Sequence, residues 1–191
     1  MQVGPPRLAA LALAAFASVA TAGCGSPPAS APPRSTQEVT LPPPPTIDQQ
    51  LNDAVTRYSM VYSSVNVSPR QDLSVVDTVA TGQGADSLRS QAKQVADQHL
   101  IVGGALKVLR VTVMSLTPNP PVASSPATAT VKSCNDVSSV TGSTPDGKSV
   151  VDPKRGPQTQ TVLTLTNATP ANAAAWRVST VEPSTTPCDP S

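Results

Sequence analysis

The chain has 191 residues, with 13 lysines and arginines, 12 aspartates and glutamates, and 22 prolines. This length corresponds to one domain, and a net charge of +1 excludes the basic surface expected of a nucleic-acid-binding protein. One histidine and three cysteines are too few for a zinc ribbon or finger, so the sequence predicts no metal site and no cofactor.

Residues 1–23 have the pattern of a secretory signal peptide. Arg7 is its one charge, and an apolar stretch of 15 residues runs from Leu8 to Ala22, which is too short to span a bilayer comfortably but suits export. The small residues before Cys24 resemble a bacterial lipobox, although Thr21 stands where the usual pattern has Leu or Val. We predict that Cys24 is lipidated and becomes the mature N-terminus. The alternative is an ordinary signal peptide cut nearby, which leaves Cys24 as an unpaired thiol.

The segment 24–45 is a predicted tether. Eight of the 21 residues from Gly25 to Pro45 are proline, and the segment cannot bury enough apolar surface to offset its ordering entropy. We expect a disordered, polyproline-like stalk that reaches at most ~65 Å. Without Arg7 the mature chain has 12 basic and 12 acidic side chains, so a lipid rather than charge would hold it at a membrane.

The domain over 46–191 begins with predicted helices. Thr46 and Gln49 have the spacing of a capping box, and the apolar residues that follow recur at steps of three and four, which is typical of one helix face. Pro69 predicts a break. The predicted helices cover 47–64, 72–80 and about 85–102.

The pattern then changes to the alternation of strands. Prolines between 118 and 126 predict a loop, and the polar, turn-rich segment 137–156 predicts another. The predicted strands cover 105–117, 127–135, 158–166 and 173–181. Because helices come first and strands follow, we expect an α+β fold with the helices packed on a curved antiparallel sheet.

Two cysteines remain once Cys24 carries a lipid, and an exported protein sits in an oxidising environment. We therefore predict a disulfide between Cys134 and Cys188. It would close a loop of about 55 residues, for which the chain-entropy model gives ~4 kcal/mol. A redox-active pair is the alternative, but it favours closely spaced cysteines.

The order of these elements resembles a group of small exported actinobacterial lipoproteins, whose domain is similar to the nuclear transport factor 2-like, cystatin-like cone. Members pair a Thr-Val-x-x-Cys strand with a terminal Trp-Arg-Val strand and a late cysteine. Cys134, Trp176, Arg177, Val178 and Cys188 match that pattern over about residues 46–188. The resemblance implies a cone-like fold and a membrane location, but no activity.

Cones of this type sometimes enclose an apolar pocket with an acidic residue or a histidine as base. The candidates here are Asp53, Asp77, Asp97 and His99. We expect Asp53 and Asp77 to be solvated, Asp97 to pair with Lys93 one turn away, and His99 to lie at a helix end without the orienting partner that a general base needs. The sequence has no catalytic constellation, and we predict that the protein is not an enzyme.

The sequence thus predicts a lipoprotein on the outer face of the cell membrane, with a non-enzymatic binding or protein-interaction domain. Trp176, Tyr58 and Tyr62 are the candidates for a ligand pocket on the concave face of the sheet, and core packing is the alternative for each. Two other functions stay open: a small-molecule carrier or enzyme that uses the cone, and an accessory subunit of an envelope transport complex. The expected partners are the membrane and an envelope protein.

Overall fold

The structure is a computed structural model that describes residues 43–69, 71–184 and Cys188. The predicted signal peptide, the predicted lipidation site Cys24 and the predicted tether up to residue 42 lie outside this part of the chain. Within it, no helix combines the length and the apolar character needed to cross a membrane.

The first helix, α1, covers Ile47–Val67 and is longer than predicted. The predicted capping box is confirmed: the Gln49 backbone N–H donates to the Thr46 hydroxyl at 3.3 Å, and the Thr46 backbone N–H donates to Gln49 Oε1 at 2.8 Å. These bonds satisfy amides that a helix start leaves without partners. The helix turns Leu51, Val55 and Tyr58 into the interior of the domain.

The segment after α1 is more broken than predicted. A single 3-10 turn (Leu73–Val75) precedes a short helix, α2 (Val76–Val79), and the long helix α3 covers Gly82–Asp97. The start of α3 lies against the last strand, because a Cβ at Gly84 would meet the backbone oxygen of Val178 at 2.6 Å. Glycine is therefore needed there for close packing.

The C-terminal end of α3 is a Schellman motif. The Leu100 N–H donates to the Val95 carbonyl at 3.0 Å, the His99 N–H donates to the Ala96 carbonyl at 3.2 Å, and His99 has a left-handed φ of 53°. A residue in this conformation ends a helix. The prediction that α3 continues to residue 102 is therefore wrong.

Strands occupy the rest of the domain. Their bounds are β1 (Ile101–Gly103), β2 (Lys107–Thr117), β3 (Ala127–Asp136), β4 (Thr141–Ser143), β5 (Gln158–Asn167) and β6 (Arg177–Pro183). The main sheet has the order β2-β3-β5-β6 and is antiparallel throughout, while β1 and β4 form a separate pair. The predicted α+β fold, with helices on one face of a curved antiparallel sheet, is confirmed. The last strand begins later than predicted because Ala173–Ala175 forms a 3-10 turn.

The predicted disulfide is confirmed: Cys134 and Cys188 are bonded, with their Cα atoms 5.5 Å apart. Cys134 lies on β3 opposite Gln160 of β5, and its side chain alternates with the inward-facing Ser133 and Asn135. The bond therefore holds Cys188 against the outer, convex face of the sheet.

Candidate ligand-binding site

The concave face of the sheet changes character along its central strands. On β3 the inward-facing residues are apolar in the first half and polar in the second, and β5 mirrors this change in the opposite chain direction. The exception is Asn167 at the end of β5, which is buried opposite Ala127 and is hydrogen-bonded to the turn that follows. The apolar positions are Ala127, Ala129, Val131, Leu163 and Leu165, and the polar positions are Ser133, Asn135, Thr159 and Thr161. Since neighbouring strands are antiparallel, the polar positions come together at one end of the sheet.

The apolar half is filled. Trp176 is 1% exposed and belongs to the same core cluster as Leu51 and Val178, and its indole Nε1 donates to Gln50 Oε1 at 3.3 Å. The sequence left a pocket position and core packing open for Trp176, and the structure shows core packing: Trp176 does not line the pocket described next. The 3-10 turn before β6 places its ring on the apolar half of the face.

The polar half is open. A pocket of about 360 Å³ lies between this half of the sheet and the helices α1 and α3, within the size range of small-molecule sites. Tyr58 and Tyr62 of α1 line it, as the sequence analysis proposed. The other lining residues are Ser59, Gln91, Leu106, Ser133, Asn135, Val137, Arg155, Thr159, Thr161, Leu163, Val181 and Pro183.

Two of the polar residues on the floor of this pocket, Ser133 and Asn135, are paired with each other. Ser133 Oγ donates to Asn135 Oδ1 at 2.8 Å, and Asn135 Nδ2 donates back to the Ser133 carbonyl at 3.4 Å. On the opposite wall, burial raises the pKa of the Tyr58 phenol well above its usual range, and the neighbouring Tyr62 adds to the shift. Tyr58 is therefore neutral at physiological pH.

Arg155 is the charged residue of this pocket. It is half-buried, and its Nη2 donates to the carbonyls of Val137 at 2.8 Å and Val140 at 3.0 Å. The ion pairs among the described residues join other side chains and leave Arg155 without a carboxylate partner. No sequence pattern predicted Arg155 as a pocket residue, because it stands in a turn-rich segment with no period that would direct it towards the sheet.

A second pocket of about 250 Å³ adjoins the first. Tyr62, Gln91 and Leu106 line both, and Gln91 Nε2 donates to the Tyr62 hydroxyl at 2.8 Å across the boundary. Asn66 lines the second pocket at 5% exposure. Its Nδ2 donates to the Tyr62 carbonyl at 2.7 Å, while Oδ1 has no partner within the described part of the chain.

The candidate acid–base residues lie elsewhere. Asp53 is exposed, and Asp77 forms an ion pair with Arg89 at 2.6 Å. Asp97 forms an ion pair with Lys93 at 2.5 Å, and this is the pair that the helical spacing predicted. His99 is exposed and lines a separate surface pocket. Among the described residues no group of three or more His, Cys, Asp or Glu side chains is placed to bind a metal ion.

These features define an α+β domain with a polar-floored pocket beneath its helices. No protein-family model and no curated protein matches the chain. Among solved structures it is similar to the intermembrane-space region of the chloroplast protein ARC6, with a TM-score of 0.51 and 13% identity over 73% of this chain and 98% of that chain. A de novo designed β-sheet protein matches with a TM-score of 0.32 and 14% identity over 71% and 88% of the two chains. At this identity the likeness to ARC6 shows the fold alone, and the second match carries no argument.

Proposed function

We propose that this protein is a lipid-anchored binding module of the bacterial cell envelope. In this proposal the signal peptide 1–23 directs export, lipidated Cys24 holds the chain at the outer face of the cell membrane, and the stalk 24–45 presents the folded domain. The resemblance to exported actinobacterial lipoproteins and the confirmed disulfide, which suits an oxidising compartment, support this location. The domain binds a small molecule in the pocket beneath Tyr58 and Tyr62.

The observation that carries the binding role is the chemistry of the pocket lining. Apolar side chains and two tyrosine rings surround a small set of hydroxyl and amide groups, which is the usual composition of a small-molecule site. The part of the lining that the structure describes includes no carboxylate and no histidine, and a neutral tyrosine and a guanidinium do not accept protons near neutral pH. This lining suits binding better than acid–base catalysis.

The alternative role as a protein-docking subunit has weaker support. The edge strand β2 exposes Leu109 at 44% and Met114 at 54%, but each is the extra residue of a β-bulge. Bulges hinder an edge strand from pairing with another chain. We therefore place small-molecule binding before docking of an envelope protein.

The pocket is tested with the neutral fluorescent dye phenylnaphthylamine and the full chain held in lipid nanodiscs. Thr161→Leu puts a larger side chain into the pocket and is expected to abolish saturable dye binding. Thr128→Leu is the matched control, because Thr128 is exposed and alternates with inward-facing neighbours on β3. Equal dye binding by the wild type and both variants would refute the pocket.

The anchor is tested by fractionating cells that express Cys24→Ala. We expect this variant to leave the lipid-modified membrane fraction, since it lacks the sulfur that would carry the lipid. A variant with both Cys134→Ala and Cys188→Ala keeps Cys24 and is expected to remain there. Retention of lipid-modified Cys24→Ala in the membrane would exclude lipidation at this position.

A further inference from the structure

We propose that the pocket selects an amphipathic monoanion, such as a medium-chain carboxylate, and that Arg155 binds its acidic group. This inference rests on the proposed function and adds the chemical class of the ligand. It joins three observations about the pocket: its charge, the geometry of Arg155 and the apolar side chains beside the polar floor.

The ionised side chain that the described residues contribute to the pocket lining is positively charged. Among the described residues that line the main pocket, Arg155 is the one that is ionised, and it also lines an adjoining pocket formed by the loops around β4. No acidic side chain from residues 43–69 or 71–184 lines these two pockets or the pocket beneath Asn66. A half-buried cation without a counter-ion favours binding of an anion, because water screens the attraction less there than at an open surface.

The guanidinium of Arg155 is held in place and is only partly used. Two backbone carbonyls, those of Val137 and Val140, accept hydrogen bonds from Nη2. Within the described residues no acceptor is bonded to Nε or Nη1, so donors of the planar group stay available. A guanidinium fixed in this way binds a carboxylate with little further loss of side-chain entropy.

The rest of the lining suits an apolar chain. Leu106, Leu163 and Val181 form apolar wall beside the tyrosine rings, and burial of alkyl groups contributes about 0.8 kcal/mol for each methylene. One guanidinium balances one negative charge, which favours a monoanion over a doubly charged phosphate. The acidic head would lie at Arg155, and the chain would run beneath Tyr58.

The test is displacement of phenylnaphthylamine from the full chain in nanodiscs by octanoate, octanol and octylamine, with empty nanodiscs as the background. We expect octanoate to displace the dye at a concentration about 10-fold lower than octanol, equivalent to about 1.4 kcal/mol, and octylamine to be the weakest. Arg155→Gln should remove the preference for octanoate over octanol. Arg57→Gln is the matched control, because Arg57 also donates to a backbone carbonyl, that of Ala174 at 3.3 Å, and does not line the pocket.

Arg155→Lys tests whether the preference for octanoate depends on the positive charge or on the hydrogen bonds that Arg155 donates to the loop carbonyls. If this variant still prefers octanoate over octanol, the charge itself is the selective element. If Arg155→Gln weakens octanol and octanoate equally, Arg155 acts only by holding the loop carbonyls, and the inference is overturned. Dye binding without any preference for octanoate in the wild type overturns the inference and leaves the proposed pocket standing, whereas failure of the dye to bind overturns both.

Discussion

The same strands form both halves of the concave face, but one half is apolar and closed whereas the other is polar and open. Around Ala127, Ala129 and Leu165 the face is apolar and closed, and Trp176 is buried in the same core. Around Ser133 and Thr161 the face is polar and leaves a pocket of about 360 Å³ beneath α1. The difference shows how one antiparallel ladder provides both a core and a binding site when its inward-facing residues change type part-way along the strands.

The physical reason is the cost of burial. Alanine, leucine and tryptophan gain free energy when water is excluded, so the closed half stabilises the fold. Hydroxyl and amide groups lose water when buried and need hydrogen bonds in return. The pairing between Ser133 and Asn135 meets part of that need, and the open space lets water or a ligand meet the rest.

The largest effect is expected from Trp176→Ala in the closed half. Removing a fully buried indole should lower the free energy of unfolding by about 3–5 kcal/mol, measured by urea denaturation of the disulfide-intact protein. Trp176→Phe, which keeps an aromatic ring but loses the bond to Gln50, should cost less. A loss for Trp176→Ala below about 1 kcal/mol would contradict the placement of Trp176 in the core.

A smaller effect is expected when both halves receive a larger side chain. Ala129→Leu adds volume at a position with 0% exposure and should lower the free energy of unfolding by about 1–3 kcal/mol through overpacking. Thr161→Leu lies on the neighbouring strand but faces the pocket, so it should change stability by less than about 1 kcal/mol. Equal losses for the two variants, in the same urea titration, would remove the distinction between a closed and an open half.

Local signals predicted the elements that local chemistry controls. The capping box at Thr46 and Gln49 and the strands over 127–135 and 158–166 were predicted to within one residue at most. The predictions failed where the chain is short or turns on a single residue. The strands β1 and β4 have three residues each, too few for a period, and the left-handed His99 ends α3 before residue 102, where the predicted helix ends.

The candidate site was only half predictable. Tyr58 and Tyr62 followed from the helical period of α1, which turns one face of the helix to the sheet. Trp176 follows the 3-10 turn of Ala173–Ala175 and packs in the core, and nothing in the sequence around Arg155 indicated its approach to the pocket. Arg155 is held in place by hydrogen bonds to two backbone carbonyls. Contacts of this kind leave no periodic pattern in the sequence.

The sequence by itself determined the α+β class, the first helix, the central strands and the partner of Cys134. Each of these depends on a period of two or 3.6 residues, on a local cap or on a small number of cysteines, all of which are properties of neighbouring residues or of composition. Tertiary structure alone decided which half of the sheet is closed, where Trp176 packs and that Arg155 faces the pocket. These depend on contacts between residues far apart in the chain, where the space left between side chains, rather than any local pattern, selects the arrangement.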